Sequence, residues 1–268
     1  RDSFLSAQKI LKDNKDRFPQ KSKESAKIQD FLKKVDDAII LSSAINRVEA
    51  KEVSKNSSNI LNAEINNTSA NYFAQDSNNI YFVNNNSVVS IDAKTKKNKE
   101  IIQNDSTWKN VGGIGTYLGN IYLLDMDSKQ ILKFVASESG FSKGNYFAEN
   151  VSPDLSSAKG MAIDGSIWIL LADGTIEKFT KGKRDSFTVS SLDKPFSAPS
   201  RIFTNLDTNN IYILDNGNSR IVIIDKNGAY KSQYQLDVLK GTKDFEVKEG
   251  DKKILILSSG KVWEIEIK

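Results

Sequence analysis

Three polar residues that could bind a ligand together, Asp215, Asn218 and Arg220, lie in the stretch DTNNIYILDNGNSRIVIIDKNGAYKSQY, which spans 207–234. A carboxylate, an amide and a guanidinium on a protein surface can hydrogen-bond a peptide or a glycan. In loops, however, Asp and Asn more commonly accept hydrogen bonds from the turn backbone, and here they could pair with the Arg. We interpret the group as structural and keep ligand binding as the alternative.

The types of residue that are missing exclude several kinds of catalysis. The chain has no cysteine and no histidine, which removes thiolate nucleophiles, disulfides, the commonest zinc ligands and the usual general base near neutral pH. The oxygen-rich stretches DMDSK at 125–129 and DTNN at 207–210 do not complete a calcium-binding loop with its Gly and its final Glu. We therefore predict no catalytic residue, no metal and no cofactor.

The elements that position these residues are β-strands in repeated units. From about residue 56 onwards, hydrophobic residues alternate with polar ones, and five units each show a strand of the form Ile-Tyr/Trp-aliphatic, a short polar loop and a second alternating strand. The equivalent isoleucines lie a little over forty residues apart: Ile80, Ile121, Ile167, Ile211 and Ile254. A period of about 40–45 residues with several strands per repeat is typical of a β-propeller blade.

The sequence thus predicts an all-β propeller over 56–268, with five blades and with a sixth, degenerate blade in 35–65 as the alternative. The last unit ends after its third strand, KVWEIEI. We expect its fourth strand to come from NILNAEI at 59–65, so that both ends of the chain share one blade and no sheet edge stays open.

Before the propeller, residues 1–55 have a helical pattern. Pro19 separates a short amphipathic stretch from a longer one, which predicts a helical hairpin or stalk. The apolar side of the longer helix would pack on the propeller, or it would form a seam for oligomerisation or for a partner. The residues of this seam are Ile28, Leu32, Val35 and Ile39.

The loops between the second and third strands of each unit should open on one face of the propeller. They read NNNS, DMDSK, ADG, DNGNS and SSG, and they form a polar rim. The simplest interpretation is a solvated edge; the functional alternative is a docking surface for a peptide or glycan, with Tyr117, Trp168 and Trp263 stacking or packing between blades. The candidate binding residues of the rim are Asn84, Asn85, Asp125, Asp127, Asp173, Asp215, Asn218 and Arg220.

The unit at 209–230 resembles the NHL repeat, in which a strand is followed by Asp, an Asn-containing loop, Arg, a second strand, Asp and Gly. The residues that match are Asp215, Asn218, Arg220, Asp225 and Gly228. The other units keep the strands and scattered loop residues. The region from about 57 to 268, including DGSIWILLADGTIEKFTKG, is also similar to C-terminal propellers of bacterial proteins that carry a PPM-type protein phosphatase-like domain. That resemblance implies a sensory or scaffolding part, and it brings no phosphatase residues with it.

From these patterns we expect a non-catalytic module that recognises a protein, peptide or glycan. The alternatives are a purely structural spacer and a lyase or glycosidase with paired carboxylates in the central channel, which the mostly neutral inner strands GMAI and GGIGTY disfavour. Clustered carboxylates of raised pKa at the channel mouth would favour the enzyme.

Charge and hydropathy bear on partners and location. The net charge of +4 belongs to residues 1–55, so nucleic acid is not an expected partner. The apolar runs are too short to cross a bilayer, which predicts a soluble chain. Since the chain begins with Arg1, we expect any membrane association to come through an upstream anchor. We expect an extracytoplasmic or cell-surface location, and a cytoplasmic location is the alternative. A monomer and a helix-mediated oligomer both remain open.

Overall fold

The computed structural model describes residues 2–42, 44–67, 69–70, 72–103, 106–108 and 110–268. The first part of the chain is helical and then forms two short strands before a third helix. Its elements are α1 (Asp2–Asn14), a 3-10 turn (Lys15–Arg17), α2 (Lys23–Ser42), β1 (Ile45–Arg47), β2 (Lys51–Val53), a second 3-10 turn (Lys55–Ser57) and α3 (Asn59–Asn66).

The strands form five sheets. Three sheets contain four consecutive strands, one contains four consecutive strands and a distant fifth strand, and one contains three consecutive strands and a distant fourth strand. Blade 1 contains β3 (Phe73–Gln75), β4 (Asn79–Asn84), β5 (Ser87–Asp92) and β6 (Asn98–Ile102). Blade 2 contains β7 (Val111–Tyr117), β8 (Asn120–Asp125), β9 (Gln130–Ser137) and β10 (Gly140–Asn145). Blade 3 contains β11 (Ala158–Ile163), β12 (Ile167–Leu171), β13 (Ile176–Thr180) and β14 (Lys183–Asp185).

The last two blades recruit strands from the N-terminal part. Blade 4 contains β15 (Pro199–Phe203), β16 (Asn210–Asp215), β17 (Arg220–Asp225) and β18 (Tyr230–Gln235), and β1 pairs in parallel with β18 as a fifth strand. Blade 5 contains β19 (Thr242–Lys248), β20 (Lys253–Ser258) and β21 (Lys261–Glu266), and β2 pairs antiparallel with β21 as its fourth strand.

The five repeated isoleucines occupy the same place in the five blades, and the predicted five-bladed propeller is confirmed. Each lies near the start of the second strand, and each side chain is buried. Their neighbours form hydrophobic clusters between blades 1 and 2, 2 and 3, 3 and 4, and 4 and 5. Between blades 2 and 3 the approach is so close that a Cβ atom on Gly115 would lie 2.6 Å from Ile163 Cδ1.

The junction of blade 5 with blade 1 is built differently, because α3 fills it. Ala63 packs in a cluster with Ile80 and Phe82 of blade 1, whereas Leu61 packs with Leu255 and Leu257 of blade 5. The expectation that NILNAEI at 59–65 forms a strand is wrong. The Ser58 hydroxyl accepts a hydrogen bond from Leu61 N (3.0 Å) and caps a helix here, and the apolar residues face two blades at helical spacing.

An N-terminal strand nevertheless completes blade 5, as predicted, although this strand is β2 and not the segment 59–65. β2 pairs Lys51 with Glu264 and Val53 with Val262, so residues 45–53 contribute two strands to propeller sheets although they lie within the predicted helical segment. No sixth sheet is formed by the residues that the structure describes, so the alternative of a degenerate blade in 35–65 is wrong. The division of the chain at residue 55 stays a prediction.

The helices α1 and α2 form the predicted hairpin and pack chiefly on each other. Gln8 Nε2 donates a hydrogen bond to Asp36 Oδ1 (2.6 Å) across the hairpin. Of the four predicted seam residues, Ile28, Leu32 and Val35 are partly buried and Ile39 is buried. Whether this seam also binds a partner stays a prediction. No helix among the described residues is long and apolar enough to cross a membrane.

Candidate functional site at the channel mouth

The loops between second and third strands lie on one face of the propeller, which we call the loop face. Each inner strand begins at this face, since Val111 pairs with Asp125 and Pro199 pairs with Asp215 at the ends of the second strands. Four of the predicted rim residues are exposed here, namely Asn84, Asn85, Asp127 and Asp173.

The two exposed carboxylates, Asp127 and Asp173, are held in place by local hydrogen bonds. Asp173 accepts hydrogen bonds from Thr175 N (2.8 Å) and Thr175 Oγ1 (3.0 Å). Asp127 Oδ1 accepts one from Asn110 Nδ2 (3.0 Å), a residue that precedes the inner strand of blade 2. Both side chains keep unused acceptor capacity toward solvent, so the rim presents fixed polar groups.

The other predicted rim residues do not all lie on the surface. Asp215 and Arg220 are 0% and 1% exposed and form an ion pair in which Nε lies 2.7 Å from Oδ2. Asn218 Nδ2 donates to the same carboxylate (2.7 Å), and Arg220 Nη1 donates to Asp193 and to Gln233 (2.7 Å each). These contacts anchor the loop before blade 4, as the structural interpretation predicts, and they leave Asp215 and Arg220 inaccessible to a ligand.

Asp125 is also buried. It accepts a hydrogen bond from Ser128 Oγ (2.6 Å) within its own loop. This residue therefore does not contribute to the surface of the rim.

Inside the ring of blades lies a cavity of about 140 Å³. Its lining comes from the inner strand of every blade and from α3, and we call it the central channel. The channel residues include Ala74, Gly113, Met161, Ile202, Asp244 and Leu61. The end of the channel at the loop face is its mouth.

A β-bulge recurs at the mouth in blades 2 to 5. In each of these blades the inner strand skips one residue in its pairing with the second strand. The skipped residues are Gly112, Lys159, Ser200 and Lys243, and the residues that follow them are Gly113, Gly160, Arg201 and Asp244. Since a bulge re-aims the side chains beside it, these pairs of residues determine the chemistry of the mouth.

Charge at the mouth is concentrated on blades 3 to 5. Lys159, Arg201 and Asp244 line the cavity, and Arg201 Nε lies 3.6 Å from Asp244 Oδ2. Arg201 Nη1 donates a hydrogen bond to Ser200 O (2.9 Å). Most positions of the inner strands β3, β7, β11 and β15 are hydrophobic or neutral, as expected. Four of the seven residues of β19 are charged instead: Lys243, Asp244, Glu246 and Lys248.

Glu64 of α3 lies beside this group and is almost completely buried. Its side chain is 1% exposed, and one oxygen lies 3.7 Å from Lys243 Nζ. No donor of the described residues is within hydrogen-bond distance of either oxygen. Burial, together with the neighbouring Asp244, raises the pKa of Glu64 from its ordinary value near 4.5 to about 9. The raised pKa favours the protonated form of Glu64 beside Asp244.

A second buried carboxylate joins blade 5 to blade 1. Glu246 Oε1 accepts a hydrogen bond from Gln75 Nε2 (2.7 Å), and Glu246 Oε2 lies 3.9 Å from Lys248 Nζ. Glu246 lies on the same inner strand as Asp244, so the seam beside α3 holds three carboxyl groups.

The aromatic residues considered for stacking pack between blades. Trp168 is buried, and its Nε1 donates to Asp164 Oδ1 (2.8 Å). Tyr117 packs on the cluster between blades 2 and 3, and Trp263 packs on the cluster between blades 4 and 5. Core packing, the simpler interpretation, is confirmed for these residues.

Sequence reasoning missed Glu64, Lys159, Arg201, Lys243 and Asp244. A signal was present, because alignment of the repeats places charged residues in blades 4 and 5 where blades 2 and 3 have glycine. Glu64 gave no such signal, since it lies outside the repeats.

No protein-family model and no curated protein matches the chain. Among solved structures, the chain is similar to the glutaminyl cyclase of Myxococcus xanthus (TM-score 0.51, 8% identity, 84% of this chain and 97% of that chain covered). It is also similar to a streptogramin B lyase (TM-score 0.48, 20% identity, 82% and 72% covered). A third similar structure is a nidogen/laminin complex (TM-score 0.45, 14% identity, 62% and 64% covered), so this chain spans less than two thirds of that one. At these identities the likeness concerns the fold, a β-propeller.

Proposed function

We propose that this protein is a non-catalytic binding module that recognises a protein, peptide or glycan through the loop face. The observation that carries the proposal is the set of exposed polar residues around the channel mouth, of which Asp127 and Asp173 are fixed by local hydrogen bonds. Polar groups fixed before binding lose little conformational entropy when a ligand docks, which favours recognition.

The NHL-like motif in blade 4 is consistent with a scaffold of this kind. Asp225 Oδ1 accepts hydrogen bonds from Asn227 N (2.9 Å) and Ala229 N (3.0 Å). Gly228 has φ +91°, and a Cβ atom at this position would collide with Thr188 O. These motif residues stabilise turns, so ligand specificity in our proposal belongs to the exposed rim. We further propose an NHL-like module that serves as the sensory or scaffolding part of a larger bacterial protein, at the cell surface.

The proposal is tested on glycan and peptide arrays with the full chain, a triple variant of the rim and a double variant as its control. In the first variant Asn85, Asp127 and Asp173 are changed to Ala, which removes exposed rim groups. In the control variant Lys94 and Asp207, exposed residues of loops on the opposite face, are changed to Ala. For each array ligand that the full chain binds, we expect the binding signal to fall at least tenfold in the rim variant and to be unchanged in the control. Equal binding by both variants would place recognition away from the loop face.

One observation favours a second candidate, a carboxylate-dependent lyase or glycosidase. Such enzymes pair a protonated carboxylic acid with a carboxylate, and Glu64 beside Asp244 has that composition. The test is turnover of a panel of glycosides and uronides by the full chain and by Asp244→Asn. Turnover that Asp244→Asn abolishes would favour the enzyme, whereas no turnover by the full chain would leave the binding module.

A further inference from the structure

The bulge residues at the channel mouth place several positive charges around one small cavity. Lys159 lines the channel, is exposed, and forms no ion pair within the part of the chain that the structure describes. Arg201 lines the same cavity from the next blade, and a Cβ atom on Gly160 would lie 3.9 Å from Arg201 Cα, so the two basic residues come from adjoining backbones. Lys243, at the bulge of blade 5, lies beside Glu64.

The internal repeats show that these charges are not needed to build a blade. At the position after the bulge, blades 2 and 3 have Gly113 and Gly160, while blades 4 and 5 have Arg201 and Asp244 in the same register with the second strand. Because the bulge forms equally well with glycine, the charged residues of blades 4 and 5 require another explanation.

The balance of charge at the mouth is positive. Burial raises the pKa of Glu64 to about 9 and so favours its neutral form beside Lys243. Of the charged residues that line the cavity, Lys159 and Arg201 are positive and Asp244 is negative, whereas Glu246 lies further along β19 and accepts a hydrogen bond from Gln75. Asp244 also contacts Arg201 Nε at 3.6 Å and so helps to hold the guanidinium at the cavity.

The guanidinium of Arg201 retains free hydrogen-bond donors. Arginine has five N–H groups, and the hydrogen bond that Arg201 makes from its guanidinium to the described residues goes to Ser200 O. A planar guanidinium with free N–H groups suits the two oxygens of a carboxylate or phosphate, and an ammonium group nearby adds charge.

We propose that the channel mouth is a binding site for a small oxyanion, a carboxylate or phosphate group, which Arg201 and Lys159 contact directly. This site is separate from the exposed rim to which the proposed function assigns recognition. The cavity of about 140 Å³ has room for on the order of ten water molecules, so the ligand is a small anion or the anionic end of a larger molecule.

The experiment is calorimetric titration of the full chain with inorganic phosphate and, separately, with succinate, in buffers matched in ionic strength with sodium chloride. We expect saturable binding of at least one anion, and the two arms identify which oxyanion is preferred. Arg201→Gln and Lys159→Gln should each weaken this binding at least tenfold. The matched control Lys183→Gln, an exposed lysine of β14 on the outer edge of blade 3, should bind as the unaltered protein does.

A further variant has the opposite expected effect and guards against mere misfolding. Asp244→Asn removes the negative charge that faces the site and should tighten anion binding at least threefold. The proposal is overturned if neither anion binds saturably, if Arg201→Gln binds as well as Lys183→Gln, or if Asp244→Asn weakens binding. Loss of array ligands in the rim variant, tested separately, would not change any of these outcomes.

Discussion

Glu64 is a carboxylic acid enclosed between α3 and blade 5, and its ionisation links the stability of the protein to pH. In the unfolded chain this group releases its proton near pH 4.5, but in the folded protein its pKa is about 9. Below pH 4.5 both states hold the proton. Between these two values only the folded state holds it, so the free energy of unfolding falls as pH rises, by at most about 1.4 kcal/mol per pH unit.

We expect Glu64→Gln to remove this dependence on pH. Glutamine has the shape of the protonated acid and can donate a hydrogen bond to Asp244 without any proton uptake. At pH 8 the variant should be more stable than the unaltered protein, by up to about 4–5 kcal/mol, and at pH 5 the two should differ by less than about 1 kcal/mol. Urea denaturation at pH 5, 6.5 and 8 measures the effect. Glu52→Gln, an exposed residue, is the control; a parallel pH profile for both variants would contradict the expected role of Glu64.

Arg220 differs from Glu64 because its buried charge is compensated by hydrogen-bonded partners. Its guanidinium contacts Asp215, Asp193 and Gln233 at 2.7 Å each. Removal of one partner of a buried ion pair leaves an uncompensated charge, so we expect Arg220→Ala to destabilise the protein by roughly 3–5 kcal/mol.

The matched comparison is Lys261→Ala. Lys261 pairs with Glu52 at 2.8 Å, but both side chains are about half exposed, and exposed pairs contribute about 0–1 kcal/mol. Thermal or urea denaturation of both variants gives the two values. Similar losses of stability would mean that the network around Arg220 is not what holds the loop before blade 4.

At the scale of elements, two short segments before the first blade complete the ring. The strand β2 covers the outer edge of β21, and α3 fills the junction of blade 5 with blade 1. The helices α1 and α2 pack chiefly on each other. The stability of the propeller should therefore depend on residues 44–66 far more than on residues 1–42.

We expect deletion of residues 1–42 to change the melting temperature by only a few degrees, whereas deletion of residues 1–53 should lower it by roughly 10 °C or more. The second deletion removes β1 and β2 and bares the edge of β21. Differential scanning calorimetry measures both. Equal melting temperatures would show that β2 contributes little to closure.

A pair of point variants checks the same closure within the full chain. Val53 packs against the cluster that includes Leu255, Leu257 and Val262, whereas Lys51 of the same strand is exposed. Val53→Asp should destabilise the protein because it places a charge against apolar side chains, and Lys51→Asp should have little effect. The same denaturation measurement applies, and a comparable loss for both variants would argue against the observed register.

At the scale of the whole molecule, the chain combines a closed propeller with a hairpin that has a different kind of surface. Four large apolar side chains of the hairpin region are exposed, namely Phe4, Ile10, Phe18 and Phe31. The second strands of the blades, by contrast, have buried aliphatic residues in every sheet. The hairpin should therefore have a lower free energy of local unfolding than the propeller.

We expect the backbone amides of α1 and α2 to exchange with deuterium at least a hundredfold faster than those of β8, β12, β16 and β20. Short helices with little tertiary packing open readily, whereas the second strands are hydrogen-bonded on both sides. Hydrogen exchange with mass spectrometry measures this at several protein concentrations. Equal protection of the hairpin would indicate that its apolar surface is covered, and protection that grows with concentration would identify another copy of the chain as the cover.

Local sequence pattern was sufficient to predict the class of fold. Alternation of apolar and polar residues, turn residues and the recurrence of Ile-Tyr/Trp strands are local features, and each blade satisfies most of its hydrogen bonds within one repeat. The same local reasoning identified the hairpin helices and the structural part played by Asp215, Asn218 and Arg220.

The closure of the ring and the composition of its centre depend on contacts between residues that are distant in sequence. The segment 59–65 has enough apolar residues for a strand, and it is helical because Ser58 caps it and because two blades enclose it. Pairing of β2 with β21 joins opposite ends of the chain. Glu64, Arg201 and Asp244 are likewise distant in sequence. The effect of burial on a charge depends on which groups surround it in space, and that information is not contained in local pattern.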